Sequence, residues 1–176
     1  MGRKLINEEL NRLSISDFKK SSKVNVIVVL DNIRSLSNIG SVFRTADAFR
    51  VEALYLCGIT AQPPHREIHK TALSATESVD WLYFKNTEDA VIQLKENDYQ
   101  ILSIEQVDNS ILLNDFIPDN EAKYALIFGN EVKGVDDNII QISDSCIEIP
   151  QWGTKHSLNI SVSVGIVLWD IVLKLK

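Results

Sequence analysis

Three short segments of the chain concentrate residue types able to do chemistry. The first is Asn38-Ile-Gly-Ser-Val-Phe-Arg44, in which an amide and a guanidinium lie six positions apart with small and apolar residues between them. Asn38 can cap a helix there, and Arg44 then projects back over Gly40 and Ser41, whose small size leaves it an open face. By spacing alone, an ordinary surface arginine satisfies the same pattern. The second segment, Phe128-Gly129-Asn130-Glu131-Val132-Lys133-Gly134, is a glycine-bracketed turn carrying a carboxylate. Glycine lets backbone approach a ligand closely, although Glu131 would equally suit the N-terminus of a following helix. The third, Ile149–Ser161, passes one proline and one glycine before Ser157, Leu158 and Asn159, and Ser157 or Asn159 could simply cap the next helix.

Several other chemistries are excluded. The chain has no G-x-G-x-x-G dinucleotide loop and no G-x-S-x-G nucleophile turn. Gly129 to Gly134 has the glycine spacing of a P-loop, but Val135 follows where lysine and a hydroxyl residue must hold phosphate and magnesium. His65 and His69 stand at i, i+4, yet the intervening Arg66-Glu67-Ile68 is not the zinc-protease arrangement and no third ligand is evident. Cys57 and Cys146 lie far apart in no paired motif, which predicts buried free thiols and no metal centre.

The elements that must position the three segments follow from periodicity. Val24–Leu30 is a mostly β-branched run, broken only by Asn25, of the kind buried on both faces of a parallel sheet, and strand-like runs recur at Ala53–Cys57, Gln100–Ile104, Tyr124–Phe128 and Cys146–Ile149. Helical patterns fall at about Asn38–Phe49, Thr87–Glu96, Val135–Ile142 and Leu158–Leu175. The alternation predicts an α/β fold with a mainly parallel sheet flanked by helices, and each chemical segment then falls at the C-terminal end of a strand or the start of the next helix, where such folds place ligands. A length of 176 residues with 45% hydrophobic residues suffices for one core. The expected organisation is a helical appendage over residues 1–22, with an amphipathic helix from Glu8 to Lys20, ahead of one domain over 23–176. Gln106–Asp119 reads as a mobile polar loop with room to cover a ligand, and the final helix is apolar nearly all round, so it must be buried within the monomer or in a dimer.

The net charge of −6 weighs against a polyanionic partner unless a local basic patch serves, with candidates at Arg3/Lys4/Arg12, Lys19/Lys20/Lys23 and His65/Arg66/His69/Lys70. No basic-then-apolar leader is present, and the longest apolar run is interrupted by Asp170 and Lys174, so a soluble, cytoplasmic protein without membrane association is expected.

Taken together and in order, the three segments resemble motifs one, two and three of the SpoU (TrmH-like) branch of the SPOUT RNA methyltransferases. The pattern N-x-G-x-x-x-R-[TA]-[ACS]-[DE]-[AS] matches at Asn38–Ala48, F-G-x-E-x-x-G at Phe128–Gly134, and I-P-x-x-x-x-x-x-S-L-N-x-S at Ile149–Ser161. The likeness runs from about Val24 to the C-terminus and includes Pro64–Trp81, similar to the stretch these proteins carry between motifs one and two. It implies a SPOUT fold whose C-terminal part is threaded into a trefoil knot, an exception to the rule against threaded loops. It also implies a homodimer packed through the knot region, S-adenosylmethionine as cofactor, and transfer of its methyl group to a ribose 2′-hydroxyl of tRNA, or next of rRNA. By motif position, Gly129, Ile149 and Leu158, with Ile104 at the end of the preceding strand, correspond to cofactor contacts. Arg44 corresponds to the catalytic arginine, and Asn38, Glu131, Ser157 and Asn159 to the other polar positions. Because arginine stays charged at neutral pH, its expected role is to position phosphate and stabilise alkoxide charge rather than to abstract a proton.

Two departures bear on the substrate. Val132 and Lys133 stand where many members have a small or polar residue followed by arginine, and the long RNA-binding extensions of some relatives are missing, so the dimer surface itself would have to recognise RNA. Two rival readings are a catalytically silent RNA-binding or ribosome-associated protein on the same fold and an α/β enzyme of small metabolites. The first must explain the intact Asn38, Arg44, Glu131 and Asn159, and the second the three-motif match.

Overall fold

A computed structural model describes residues 2–176. Seven strands form one all-parallel sheet: β1 (Val24–Asp31), β2 (Val51–Cys57), β3 (Asp80–Phe84), β4 (Tyr99–Ile104), β5 (Ile111–Leu112), β6 (Lys123–Phe128) and β7 (Ser145–Glu148). Their order is β3-β2-β1-β6-β4-β7-β5. The helices are α1 (Ile15–Lys20), α2 (Leu36–Phe49), α3 (Arg66–Ala72), α4 (Ala75–Ser78), α5 (Thr87–Glu96), α6 (Asp137–Ile142) and α7 (Ile160–Lys174).

The apolar run Val26–Leu30 of β1 is explained by burial on both sides. Val26, Val28 and Leu30 face a core shared with Ile39, Val42 and Phe43 of α2 and Val164, Val167 and Leu168 of α7. Ile27 and Val29 face the other core, with Val91 and Leu94 of α5 and Ile139 of α6. β6 alternates in the same way, Leu126 and Phe128 to the first layer and Ala125 and Ile127 to the second. Every strand points the same way, so the ends of β1, β4, β6 and β7 come to one edge, and that edge carries the chemical segments.

Several elements depart from expectation for identifiable reasons. The N-terminal helix is interrupted: a 3-10 turn at Asn7–Leu10 ends on Asn11 in the left-handed region (φ 48), and α1 begins afresh with the Ser14 hydroxyl accepting from the Asp17 N–H. Only Phe18 of α1 is buried. α2 starts before Asn38, because Ser35 is its cap and accepts from the Asn38 N–H at 3.3 Å. The Asn38 amide is thereby released from capping. Gln106–Asp119 is tied down rather than loose: β5 pairs with β7, Leu113 is buried, and Lys174 Nζ donates to the carbonyls of Leu113 (2.7 Å) and Phe116 (2.9 Å). β3, α3 and α4 lie within the Pro64–Trp81 stretch and just beyond it, where periodicity gave no element.

Gly40 opens no space for Arg44. It is buried against α3, and a Cβ there would lie 2.1 Å from Thr71 Oγ1 and 2.3 Å from the Ile68 carbonyl oxygen. The missing side chain lets the two helices touch, and the Thr71 hydroxyl, donating to the Ser37 carbonyl at 2.9 Å, fastens them. Gly40→Ala should therefore destabilise the fold. Overpacking against backbone costs about 3 kcal/mol, whereas alanine returns about 1 kcal/mol of helix propensity. The expected net loss lowers Tm by roughly 4–8 °C, and an unchanged or raised Tm in calorimetry would refute the close-contact explanation.

Candidate active site

At the end of β6 the chain reverses in a turn that only glycine permits. A Cβ on Gly129 would sit 1.9 Å from the Gly134 carbonyl carbon and 2.1 Å from the Val135 nitrogen. Asn130 and Gly134 exchange backbone hydrogen bonds (3.2 and 2.9 Å), and the Asn130 side-chain oxygen accepts from the N–H groups of Val132 (3.0 Å) and Lys133 (2.9 Å). Gly134 itself has φ +71, and the space its side chain would need is held by the Glu105 carboxylate. That carboxylate, one residue beyond β4, accepts from the N–H groups of Val135 (3.0 Å) and Gln106 (2.9 Å).

The turn forms one wall of a cleft of about 330 Å³ at the strand edge. Ile104, Gly129, Ile149 and Leu158 all line it, as do Glu131 and Ser157. Glu105, Gln106, Gln151 and His156 also line it and were missed by sequence reasoning; for Glu105 the available signal was a carboxylate immediately after a strand that ends at the ligand edge. Just beside the cleft, the three segments are joined through side chains. Asn38 Nδ2 donates to Glu131 Oε1 at 2.9 Å, and Asn159 Nδ2 donates to Asn38 Oδ1 at 3.2 Å. Asn159 caps α7, its Oδ1 accepting from the Ser161 N–H (2.9 Å) and hydroxyl (2.7 Å), so the helix start fixes which amide face is offered to Asn38.

Arg44 is not part of this assembly. It is exposed on the far side of α2 and lines a second groove, between the N-terminal segment and α4; among the described residues it has no side-chain hydrogen bond or ion pair. Thus eight of the nine residues singled out from the sequence meet at one strand edge in a single chain, and the arginine stands apart.

The remaining titratable groups narrow the chemistry. Burial pushes the Cys57 thiol up to about 12, and burial, then the Glu105 charge, raises that of Cys146. Both stay protonated at neutral pH, so neither provides a thiolate nucleophile. Among the described residues no three His, Cys, Asp or Glu side chains converge as metal ligands, and no helix is long and apolar enough to cross a membrane.

A parallel α/β sheet with a glycine-built cleft at its strand ends, and with three motifs joined there, is the arrangement of an RNA methyltransferase of the SpoU type. The chain belongs to the SpoU rRNA methylase family, which matches residues 25–169. It is 32% identical to an uncharacterized tRNA/rRNA methyltransferase of Borreliella burgdorferi, over 92% of this chain and 69% of that protein. It is 27% identical to the tRNA (guanosine(18)-2′-O)-methyltransferase of Aquifex aeolicus, over 94% of this chain and 76% of that one. Its fold superposes on the AdoMet-bound rRNA methyltransferase of Sinorhizobium meliloti with a TM-score of 0.80 at 24% identity, covering 90% of this chain and 60% of that longer one.

One buried carboxylate links this turn to the sheet. Asp31, fully buried at the end of β1, accepts from the Asp136 N–H (3.3 Å) just after the turn, from Asn32 Nδ2 (2.9 Å) and from the Thr87 hydroxyl. Burial raises its pKa above the ordinary carboxylate value, outweighing these hydrogen bonds. The folded state then holds the proton more tightly than the unfolded one, so this group's contribution favours folding at acid pH and is lost as pH rises through the raised value. Asp31→Asn should remove that component: urea-unfolding free energies measured from pH 4 to 7 should fall less with pH in the variant than in the wild type. Parallel curves would show that Asp31 titrates normally.

Proposed function

We propose that the protein transfers the methyl group of S-adenosylmethionine to a ribose 2′-hydroxyl of RNA, with tRNA as the favoured substrate. The observation that carries this reading is the convergence of all three motifs on one cleft, through the Asn159–Asn38–Glu131 hydrogen bonds. The cleft suits the cofactor. Its volume lies at the lower end of small-molecule sites, Ile104, Ile149 and Leu158 offer apolar walls for a purine, and Glu105 and Glu131 offer negative charge to a cationic sulfonium. When bound, the cofactor would supply an electrophilic methyl group.

This chain's residues do the rest. Backbone at Gly129, Ile149 and Leu158, with Ile104 beside it, would hold the cofactor, leaving Glu131, Asn38, Ser157 and Asn159 to orient the ribose. A ribose hydroxyl is a weak nucleophile at neutral pH, so it must be held in line and its developing charge stabilised. Arg44 serves that role by clamping the adjacent phosphate. Since Arg44 lies outside the cleft of its own chain, the working site is completed by a homodimer. α7 leaves Val162, Ile166, Trp169 and Leu173 exposed on a face continued by Leu112 and Trp152, an apolar surface of the kind that marks an interface. The C-terminal trefoil knot implied by the motifs belongs to the same proposal.

Light scattering should accordingly give twice the chain mass in dilute solution; a stable monomer would remove the route by which Arg44 reaches the cleft. Calorimetry should show cofactor binding, and RNA from a strain lacking the gene should accept methyl groups that wild-type RNA does not. Absence of both would favour a silent RNA-binding protein. Arg44→Ala should lose on the order of 10²-fold or more in rate while keeping cofactor affinity and Tm, and Arg44→Lys should stay poor because one ammonium cannot reproduce a two-point clamp. Full activity of Arg44→Ala would overturn its assignment.

A further inference from the structure

The groove that holds Arg44 carries more positive charge than the net charge of −6 would lead one to expect. It measures about 780 Å³ and runs between the segment ahead of α1 and the surface of α2 and α4. Three arginines line it, Arg12 from the N-terminal segment and Arg44 and Arg50 from α2 and its end. None of the three has a side-chain hydrogen bond or ion pair among the described residues. The acidic group in the groove, Asp47, is engaged by the Ser78 hydroxyl at 2.5 Å and pairs with no arginine. Arg50 adds an independent observation. It ends α2 in the left-handed region (φ 51), where its N–H caps the carbonyls of Ala46 and Asp47, a position glycine fills at lower cost. A long cationic side chain kept where the backbone favours glycine, beside two further unpaired guanidiniums, fits a ligand that needs that charge.

We propose that this groove is the track for the RNA backbone, with Arg12 and Arg50 binding phosphates that flank the nucleotide on which Arg44 acts. The inference rests on the methyltransferase reading and specifies how an acidic protein engages a polyanion: through three arginines concentrated along one groove, one of them delivered by the N-terminal segment. Phosphates are the ligand chemistry that such a row selects, because each guanidinium can clamp one phosphate by two parallel hydrogen bonds.

The test uses Arg12→Ala, Arg50→Gly and the double variant in the full chain, with a short single-stranded RNA of mixed sequence as probe. Arg50→Gly relieves the left-handed backbone, so its Tm should hold or rise, which separates a lost contact from a lost fold. Each single variant should bind the probe roughly tenfold more weakly, and the slope of log affinity against log salt should shrink by about 0.7 per arginine removed. Cofactor affinity should not change, and in methyl transfer KM for RNA should rise with kcat nearly kept. Wild-type affinity and salt slope in the double variant, with methyl transfer intact in the parent, would overturn the groove assignment alone. A parent protein that binds neither cofactor nor RNA would overturn the underlying reading as well.

Discussion

No methyl group fits between Gly129 and the peptide joining Gly134 to Val135, and the arrangement of the candidate site depends on that contact. It lets the chain leave β6, reverse within five residues and re-enter the domain toward α6 without moving away from the sheet edge. Glu131, although exposed, is thus held beside the start of α2, and the turn's underside is closed by the Glu105 carboxylate just beyond the neighbouring strand. A wider turn would carry Glu131 away from Asn38, and the three motifs would no longer touch.

The polar bridge itself is a weak source of stability. Asn159–Asn38–Glu131 is solvent-accessible, and each such bond contributes about 1 kcal/mol or less. Its geometry is imposed from below, by two apolar layers that fix β1, β6, α2 and α7 to within a side chain's width. Division of labour between a rigid scaffold and a lightly held polar rim suits a site whose hydrogen bonds must be exchanged for those of a ligand.

Much of this was readable in the sequence because burial leaves a strong periodic mark. β1 and β6 are covered on both faces and appear as largely apolar runs, and α2, α5 and α7 each bury a strongly apolar face. β3 escaped notice because it is an edge strand with Leu82 and Tyr83 largely exposed, which leaves no alternation to detect. Gly129 and Ile149 follow strands directly and Leu158 stands just ahead of the α7 cap, positions that motif spacing alone could point to. The same spacing misjudged the surroundings of α2, where Ser35 took the capping role assigned to Asn38 and Gly40 served helix packing instead of clearing space for Arg44. Those outcomes depend on α3 and on a residue three positions upstream, contacts that local spacing does not encode. The role of Glu105 in closing the turn was hidden for a related reason: its partner, Val135 N–H, is 30 residues away, and only its place just after a strand hinted at the cleft.

The last element in the chain is also a central one in space. Val164, Val167, Leu168 and Ile171 of α7 complete the core layer begun by α2 more than a hundred residues earlier, and Lys174 then locks onto carbonyls of the segment after β5. During synthesis, therefore, the strands that emerge first have one unfinished face until the final helix has left the ribosome. Such a domain must acquire its native core late, through contacts distant in sequence, which makes folding slow relative to helical domains of the same size. It also makes the newly made, incomplete polypeptide the form most exposed to aggregation and to chaperone capture.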